Sequence, residues 1–99
     1  MAMAGNLDAE LLRSYRTELA ELKMNSKPII SSLTMIAGEQ RHLASTSNSV
    51  ASALLSHITE CPQYQRLPAL YVLDSIAKNI GQPYVGLFEK EIREVMLYL

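Results

Sequence analysis

Helical periodicity interrupted by prolines is the feature that most limits the folds open to this chain. Apolar residues recur at steps of three and four along most of its 99 residues, which is the spacing of one face of an α-helix. We find no segment with the strict alternation that is typical of a β-strand. Because proline disfavours a helix interior, the four prolines indicate where helices begin and end. The sequence therefore predicts an all-α fold, a stack of about six helices.

The breaks in this pattern predict the individual helices. Asn25 and Ser26 are good N-cap residues, and Pro28 suits the first turn of the helix that follows. Gly81 predicts a left-handed helix end, since glycine adopts positive φ at little cost. The predicted elements, in order, are a helix over Leu7–Lys23, a helix from Pro28 to Gly38, a loop over Gln40–Ser49, a helix from Val50 to Cys61, a connection over Gln63–Arg66, a helix from Pro68 to Ile80, a short helix at Tyr84–Phe88 and a sixth helix over Ile92–Leu99.

The last predicted helix carries no terminating signal. The chain closes on the segment EVMLYL, with neither a cap nor a polar tail. We therefore expect its apolar face to contact further helices beyond Leu99. On this interpretation residues 1–99 form a single domain that is incomplete at its C-terminus.

Composition limits the classes of function. Hydrophobic residues make up 48% of the chain and the formal net charge is −1, so a core can form while the overall charge favours neither nucleic acid nor an acidic membrane. We find no stretch with the character of a signal peptide or of a membrane span. The single cysteine, Cys61, cannot form an internal disulfide and indicates a reducing compartment. These features predict an intracellular protein that does not contact membranes.

The helix from Pro68 to Ile80 presents a polar face of mixed chemistry. The carboxylate of Asp74 can accept a hydroxyl or amide proton, and Lys78 can attract an anion. The alternative is an ordinary solvated face on which these two residues form an i,i+4 pair of about 0.2–0.5 kcal/mol. As a candidate peptide-binding face it comprises Tyr71, Asp74, Ser75, Lys78 and Asn79, with Leu67 beside them.

A second candidate lies where the preceding helix begins. Asn25, Ser26 and Lys27 stand at its start, where unpaired amide groups and the positive end of the helix dipole favour an anion. The charge of Lys27 strengthens that preference, so a phosphate could dock there. The alternative is plain helix capping followed by an exposed lysine.

Catalytic and metal-binding patterns are weak. His57 and Cys61 lie four residues apart and could face one metal ion, but two ligands are too few for a site. His42 has no carboxylate or nucleophile at a suitable spacing, and the four glycines are too scattered for a phosphate-binding loop. The sequence predicts a binding module with no metal and no cofactor, and not an enzyme.

Two stretches together resemble a known family. MNSKPIISSLTMIAGE, from Met24 to Glu39, and LPALYVLDSIAKNIGQPY, from Leu67 to Tyr84, are similar to segments of RNA polymerase II CTD-interacting domains. The subgroup that they resemble is that of the pre-mRNA 3′-end cleavage and transcription-termination factor. The resemblance extends from about Leu7 to the end of the chain and is weakest over Gln40–Ser49.

The resemblance implies a right-handed superhelix of eight helices, related to the VHS and ENTH folds, of which this chain would supply about the first six. Such domains bind the heptad-repeat tail of the largest polymerase II subunit, preferably phosphorylated on the second-position serine. An arginine on the seventh helix that attracts phosphate in several members has no counterpart before Leu99. We therefore expect weaker phosphate binding by this chain.

The resemblance also assigns roles to residues. Asp74 matches the aspartate that bonds the hydroxyl of the heptad tyrosine, and the rest of its face lines the same groove. Asn25, Ser26 and Lys27 match the opposite wall. The implied partners are the phosphorylated polymerase tail, other cleavage-factor subunits through further parts of the parent protein, and RNA associated with the complex. The implied location is the nucleus.

A trafficking adaptor of the VHS or ENTH kind is the alternative from another class of function. It would share the helical superhelix and would bind sorting signals or lipid headgroups. Its lipid-binding form requires a basic cluster, which this nearly neutral sequence does not show.

Overall fold

Five α-helices make up the described part of the chain. The computed structural model describes residues 2–97, with side chains described over 9–90, and no described residue lies in a strand. The predicted all-α class is confirmed, with five helices in place of about six. The helices are α1 (Ala2–Glu21), α2 (Lys27–Glu39), α3 (Ala44–Glu60), α4 (Gln63–Asn79) and α5 (Tyr84–Leu97).

The predicted loop over Gln40–Ser49 is wrong, because α3 begins within it at Ala44. The hydroxyl of Ser47 donates to the carbonyl of Ala44 at 3.1 Å, and that of Ser49 donates to the carbonyl of Ser45 at 3.0 Å. Each hydroxyl thus finds its acceptor inside the helix, which removes its tendency to favour a loop. Burial of Ser47 against the rest of the protein adds a tertiary reason for helix.

The predicted connection over Gln63–Arg66 is also wrong. It forms the first turn of α4, which follows directly on Pro62, and the amide of Gln65 donates to the carbonyl of Pro62 at 2.9 Å. Pro68 consequently lies inside the helix and not in its first turn. Because Pro68 is buried, its packing offsets the hydrogen bond that it cannot donate.

The short fifth and separate sixth helices are one continuous helix, α5. No proline follows Pro83 in the sequence, so none interrupts this helix. At its start, the amide of Gly86 donates to the side-chain oxygen of Gln82 at 3.2 Å. Gly81 adopts a φ of 78°, which confirms the predicted left-handed helix end. In α1 the helix begins at Ala2, earlier than predicted, and ends at Glu21. The side chains of Leu7 and of Ile92–Leu99 lie outside the described ones.

The helices form two rows. In one row α1 packs on α3 and α3 on α5, while in the other α2 packs on α4, and α3 joins the rows through α4. Among the described helices, none combines the length and the apolar character needed to cross a membrane. The consequence for function is that α2 and α4 lie side by side at one surface of the stack.

Two buried tyrosines hold α2 in place. The phenol of Tyr15 donates to the carbonyl of Leu33 at 3.1 Å, and that of Tyr84 donates to the carbonyl of Ala37 at 2.7 Å. Both phenols are fully buried, and burial raises the pKa of Tyr15 and raises that of Tyr84 to about 12. The other fully buried large side chains are Leu19, Leu22, Leu33, Val50, Leu54, Ile58, Val72 and Ile76.

Candidate peptide-binding site

The helices α2 and α4 run in the same direction. The hydroxyl oxygens of Thr34 and Ser75 lie 2.8 Å apart, and Gly38, one turn after Thr34, closely approaches the side chain of Ile80, which follows Ser75. Antiparallel helices would instead place Gly38 near Tyr71, about one turn before Ser75. The parallel arrangement sets the first turn of α2, at Lys27, beside the first half of α4.

Exposed side chains of the two helices lie on the same side of this contact. Successive residues turn by about 100° around a helix, so Ser31 and Met35 lie about 60° and 100° from Thr34. Tyr71 and Lys78 lie about 40° and 60° from Ser75 in the opposite sense. Because the helices are parallel, opposite senses point to one side of the pair. We call this surface the α2–α4 face; it comprises Lys27, Ser31 and Met35 of α2 and Leu67, Tyr71, Asp74 and Lys78 of α4.

The apolar members of this face are well exposed. Met35 is 64% exposed, Leu67 55% and Tyr71 42%. Ser31 and Met35 were not predicted as part of the site, although both follow Lys27 at steps of four on α2, which is the signal that could have found them. The face therefore combines an apolar surface with charged groups from both helices.

Asp74 and Lys78 form an ion pair on this face. The ammonium of Lys78 lies 3.1 Å from Oδ2 of Asp74, and the two side chains are 73% and 56% exposed, respectively. The pair is the one that the solvated-face alternative requires, and exposed pairs of this kind contribute little to stability. A carboxylate has two oxygens, so Oδ1 of Asp74 remains able to accept a proton from a ligand.

The hydroxyl of Ser75 is engaged within the protein. Its oxygen lies 2.8 Å from Oγ1 of Thr34 and accepts from Nδ2 of Asn79 at 3.2 Å. Nδ2 of Asn79 also donates to the carbonyl of Ser75 at 3.0 Å. These bonds leave Oδ1 of Asn79 as the group that this exposed residue offers to solvent. Ser75 and Asn79 thus lie beside Asp74 as predicted, with less free hydrogen-bonding capacity than the sequence suggested.

The start of α2 is capped without a side-chain bond. Ser26 is the N-cap in an extended conformation, with φ −84° and ψ 107°, and its hydroxyl makes no capping bond. Its amide donates to the carbonyl of Met24 at 2.8 Å. Asn25 and Lys27 are exposed, and Pro28 has no amide proton to satisfy. The ammonium of Lys27, the hydroxyl of Ser26 and the side chain of Asn25 are therefore available to a ligand, whereas Ser26 and Pro28 offer it no free amide proton.

His57 and Cys61 do not form a reactive pair. Burial raises the pKa of the Cys61 thiol, which favours the unreactive protonated form. Burial lowers the pKa of His57, partly opposed by Glu60, and its Nε2 has no hydrogen-bond partner among the described residues. Over residues 9–90, no group of three or more side chains is suitably arranged to hold a metal ion.

Known proteins resemble this chain in sequence and structure. A protein of Schizosaccharomyces pombe described as uncharacterized is 49% identical over 74 residues, which are 75% of this chain and 11% of that protein. Protein PCF11 of Saccharomyces cerevisiae is 38% identical over 82 residues, covering 83% of this chain and 13% of PCF11. Polyadenylation and cleavage factor homolog 11 of Caenorhabditis elegans is also 38% identical over 82 residues, covering 81% of this chain and 10% of that protein. The chain thus spans about a tenth of the length of these relatives.

A crystal structure of the RPR of Pcf11 shares the fold. It has 33% sequence identity and a TM-score of 0.75, and the match covers 89% of this chain and 68% of the crystallised one. The sequence model of the CID domain matches residues 13–98. Because that match takes in most of the chain, and because the Pcf11 fold agrees with it, this chain belongs to the CID domain family.

Proposed function

We propose that this chain binds the phosphorylated heptad-repeat C-terminal domain of the largest RNA polymerase II subunit. By doing so it couples transcription to pre-mRNA 3′-end cleavage, polyadenylation and termination. The observation that carries the proposal is the Asp74 carboxylate on an open face, flanked by the exposed apolar side chains of Leu67 and Tyr71. Membership in the CID family supports the identity of the partner.

Asp74 is the hydrogen-bond acceptor for the heptad tyrosine in this proposal. Its Oδ1 accepts the phenol proton while Oδ2 keeps its bond to Lys78. A bond between a neutral hydroxyl and a carboxylate is charge-assisted and therefore stronger than a neutral one. The Leu67 and Tyr71 side chains supply apolar surface for the ring of the same tyrosine.

The phosphate is assigned to the start of α2. Lys78 is already neutralised by Asp74, whereas no described carboxylate forms an ion pair with Lys27. Lys27 also stands at the positive end of the α2 dipole, beside Asn25 and the unused hydroxyl of Ser26. Charge and geometry therefore both favour Asn25, Ser26 and Lys27 over Lys78 as the phosphate contact.

The two anchors have a defined spacing along the face. Lys27 precedes Thr34 by seven residues, which is about 10 Å along the helix axis, and Thr34 is level with Ser75, next to Asp74. An extended peptide covers about 10 Å in three residues. The start of α2 and the level of Asp74 are therefore separated by the length of about three extended peptide residues. Ser31 lies between the two anchors, and Met35 lies near the level of Asp74 on the opposite helix.

The wider role follows from the partner. A domain that holds the polymerase tail acts as a binding module in the nucleus and not as an enzyme. The other cleavage-factor subunits and the RNA are contacted by further parts of the parent protein and of the complex.

Titration with a peptide of two heptad repeats tests the proposal. Backbone amide shifts are followed by NMR with the peptide unmodified and with phosphoserine at the second position. We expect shifts around Asp74 with both peptides, and larger shifts at Asn25–Lys27 with the phosphopeptide. Matched liposomes with acidic headgroups serve as the control for the trafficking alternative. Shifts confined to regions remote from Asp74, or no shifts at all, would reject the proposal.

A further inference from the structure

We propose that Thr34 is a positioning residue for the α2–α4 face. Its hydroxyl fixes Ser75 and, through Ser75, the amide of Asn79, so that the two helices carrying the ligand contacts are held at one separation. The inference rests on the proposed function for its consequence, but the hydrogen-bond chain itself is a property of the free protein.

Thr34 has more hydrogen bonding than its own helix requires. Its Oγ1 lies 2.8 Å from the carbonyl of Ile30, a bond within α2 that already satisfies the hydroxyl proton. The same oxygen lies 2.8 Å from Oγ of Ser75 on α4. Thr34 is only 7% exposed, so water cannot easily replace either partner. The second bond therefore connects α2 to α4.

The number of protons on each group fixes which group donates in each of these hydrogen bonds. A hydroxyl donates one proton, so if Thr34 donates to the Ile30 carbonyl, the bond between the two hydroxyls is donated by Ser75. Ser75 then accepts from Nδ2 of Asn79. Each donated proton has one acceptor, since Nδ2 of Asn79 carries two protons, and the chain ends on the backbone carbonyl of Ile30.

The chain also fixes which end of Asn79 is available. The carbonyl of Ser75 can only accept, so the group 3.0 Å from it must be the amide nitrogen of Asn79. Its Oδ1 consequently points away as a free acceptor, suited to a backbone amide of a bound peptide. Removing the Thr34 hydroxyl releases the hydroxyl of Ser75, so Asn79 keeps its bond to the Ser75 carbonyl but loses its second, fixed acceptor.

A second contact supports the same separation one turn further along. A side-chain carbon added at Gly38 would lie 2.7 Å from Cδ1 of Ile80, so the two helices approach closely at that level. The bond at Thr34 and the approach at Gly38 lie on the same side of α2, four residues apart. Together they keep α2 against α4 along the half of the face that contains Asp74.

The decisive variant is Thr34→Val, which keeps the shape of the side chain and removes its hydroxyl. Thr17→Val is the matched control, because Thr17 makes the same bond within its helix, to the Arg13 carbonyl at 2.8 Å, and is exposed on α1. We expect Thr34→Val to weaken binding of the second-position phosphoserine peptide about three- to tenfold. Thr34→Ser restores the affinity to within about twofold, and Thr17→Val leaves it unchanged.

A double-mutant cycle separates positioning from general loosening. If Thr34 acts through Ser75, adding Thr34→Val to Ser75→Ala weakens binding no further. Wild-type affinity in Thr34→Val, or fully additive effects of the two changes, would overturn the inference. Should Thr34→Val fail to fold, amide hydrogen exchange is measured in Ser75→Ala: faster exchange across Ile30–Thr34 supports the connection, and unchanged exchange refutes it.

One readout does not depend on the peptide. The side-chain amide protons of Asn79 should move in the NMR spectrum of free Thr34→Val and stay in place in Thr34→Ser. If the resonances of those protons do not shift in Thr34→Val, the inference is wrong, even if the peptide binds. Conversely, the wild-type protein could fail to bind the peptide while the Asn79 protons still shift in free Thr34→Val. That result would reject the proposed function and support the hydrogen-bond chain.

Discussion

On its inner side α2 receives two buried phenols, whereas on its outer side it meets solvent with charged and flexible side chains. The inner contacts are those of Tyr15 and Tyr84 with successive turns of α2 backbone, and both tyrosines are fully buried. The outer side carries Lys27, Ser31 and Met35, all exposed. One helix thus has a side that anchors it and a side that is free to recognise a ligand.

The difference separates the residues that stabilise the fold from those that we propose contact the ligand. Burying a phenol with its hydrogen bond satisfied stabilises the fold, and losing it leaves a cavity or an unpaired group. Exposed polar groups contribute little to stability, so they can be chosen for the ligand. Thr34 lies at the boundary, buried like the inner residues yet bonded to Ser75, which is next to Asp74 of the α2–α4 face.

Tyr15→Ala should have the largest effect on stability. Truncating a fully buried aromatic side chain in a core costs about 3–5 kcal/mol in the free energy of unfolding. Urea unfolding followed by far-ultraviolet circular dichroism measures it. The control is Met24→Ala, which truncates a large side chain that is 72% exposed and should stay within about 0.5 kcal/mol. Similar losses in the two variants would contradict the assigned anchoring role.

Asp74→Ala should have the largest effect on recognition. Loss of a hydrogen bond to a charged group weakens phosphopeptide binding by about 1.5–3 kcal/mol, while the unfolding free energy changes by less than about 0.5 kcal/mol. Isothermal titration calorimetry measures the first and urea unfolding the second. Glu10→Ala removes an exposed carboxylate from α1 and should bind normally. Equal affinity in Asp74→Ala would remove the residue from the site.

Tyr84→Phe should cost about 0.5–1.5 kcal/mol, because the ring remains and only the hydrogen bond to Ala37 is lost. The same residue makes the free energy of unfolding fall at alkaline pH, since burial raises its pKa from 10 to about 12. The unfolded chain therefore releases this proton first, so the stability is present below pH 10 and is lost as pH rises toward 12.

Urea unfolding at a series of alkaline pH values checks the Tyr84 prediction. Tyr84→Phe should lose less stability than the wild type between pH 10 and 12, although Tyr15, whose pKa is also raised, still contributes. Parallel curves for the two proteins would mean that Tyr84 titrates alike in the folded and unfolded states.

Lys78→Ala should have the smallest effect of these changes. The i,i+4 pair with Asp74 is exposed, so its loss costs about 0.2–0.5 kcal/mol of stability. Because the phosphate is assigned to Lys27, Lys27→Ala should weaken phosphopeptide binding more than Lys78→Ala does. Calorimetric titration of both variants compares them directly, and the reverse order would move the phosphate to Lys78.

Several features of the fold were predictable because local signals and tertiary packing agree. Gly81 ends the α4 region with positive φ, as the sequence indicates. The start of α3 at Ala44 was not predictable, because serine and threonine favour loops until helix carbonyls and burial satisfy them. The position of Pro68 was wrongly predicted for a related reason. Its missing amide proton suggested the start of a helix, but the buried side chain packs well enough for Pro68 to lie inside α4.

The candidate site likewise has a part that the sequence predicts and a part that it does not. Helical periodicity alone places Tyr71, Asp74 and Lys78 on one side of α4, and the proline after Lys27 marks the start of α2. It does not say that α2 lies parallel to α4. That arrangement added Ser31 and Met35 to the face.

By itself, then, the sequence determined the helical class and the chemistry available on each helix, because both depend on residues three or four positions apart. Only the tertiary structure decided which helices are neighbours, in which direction they run and which polar groups are already engaged. Contacts such as that between Thr34 and Ser75 join residues 41 positions apart, and no local periodicity encodes them. The open face around Asp74 is therefore a property of the pairing of α2 with α4, and of neither helix alone.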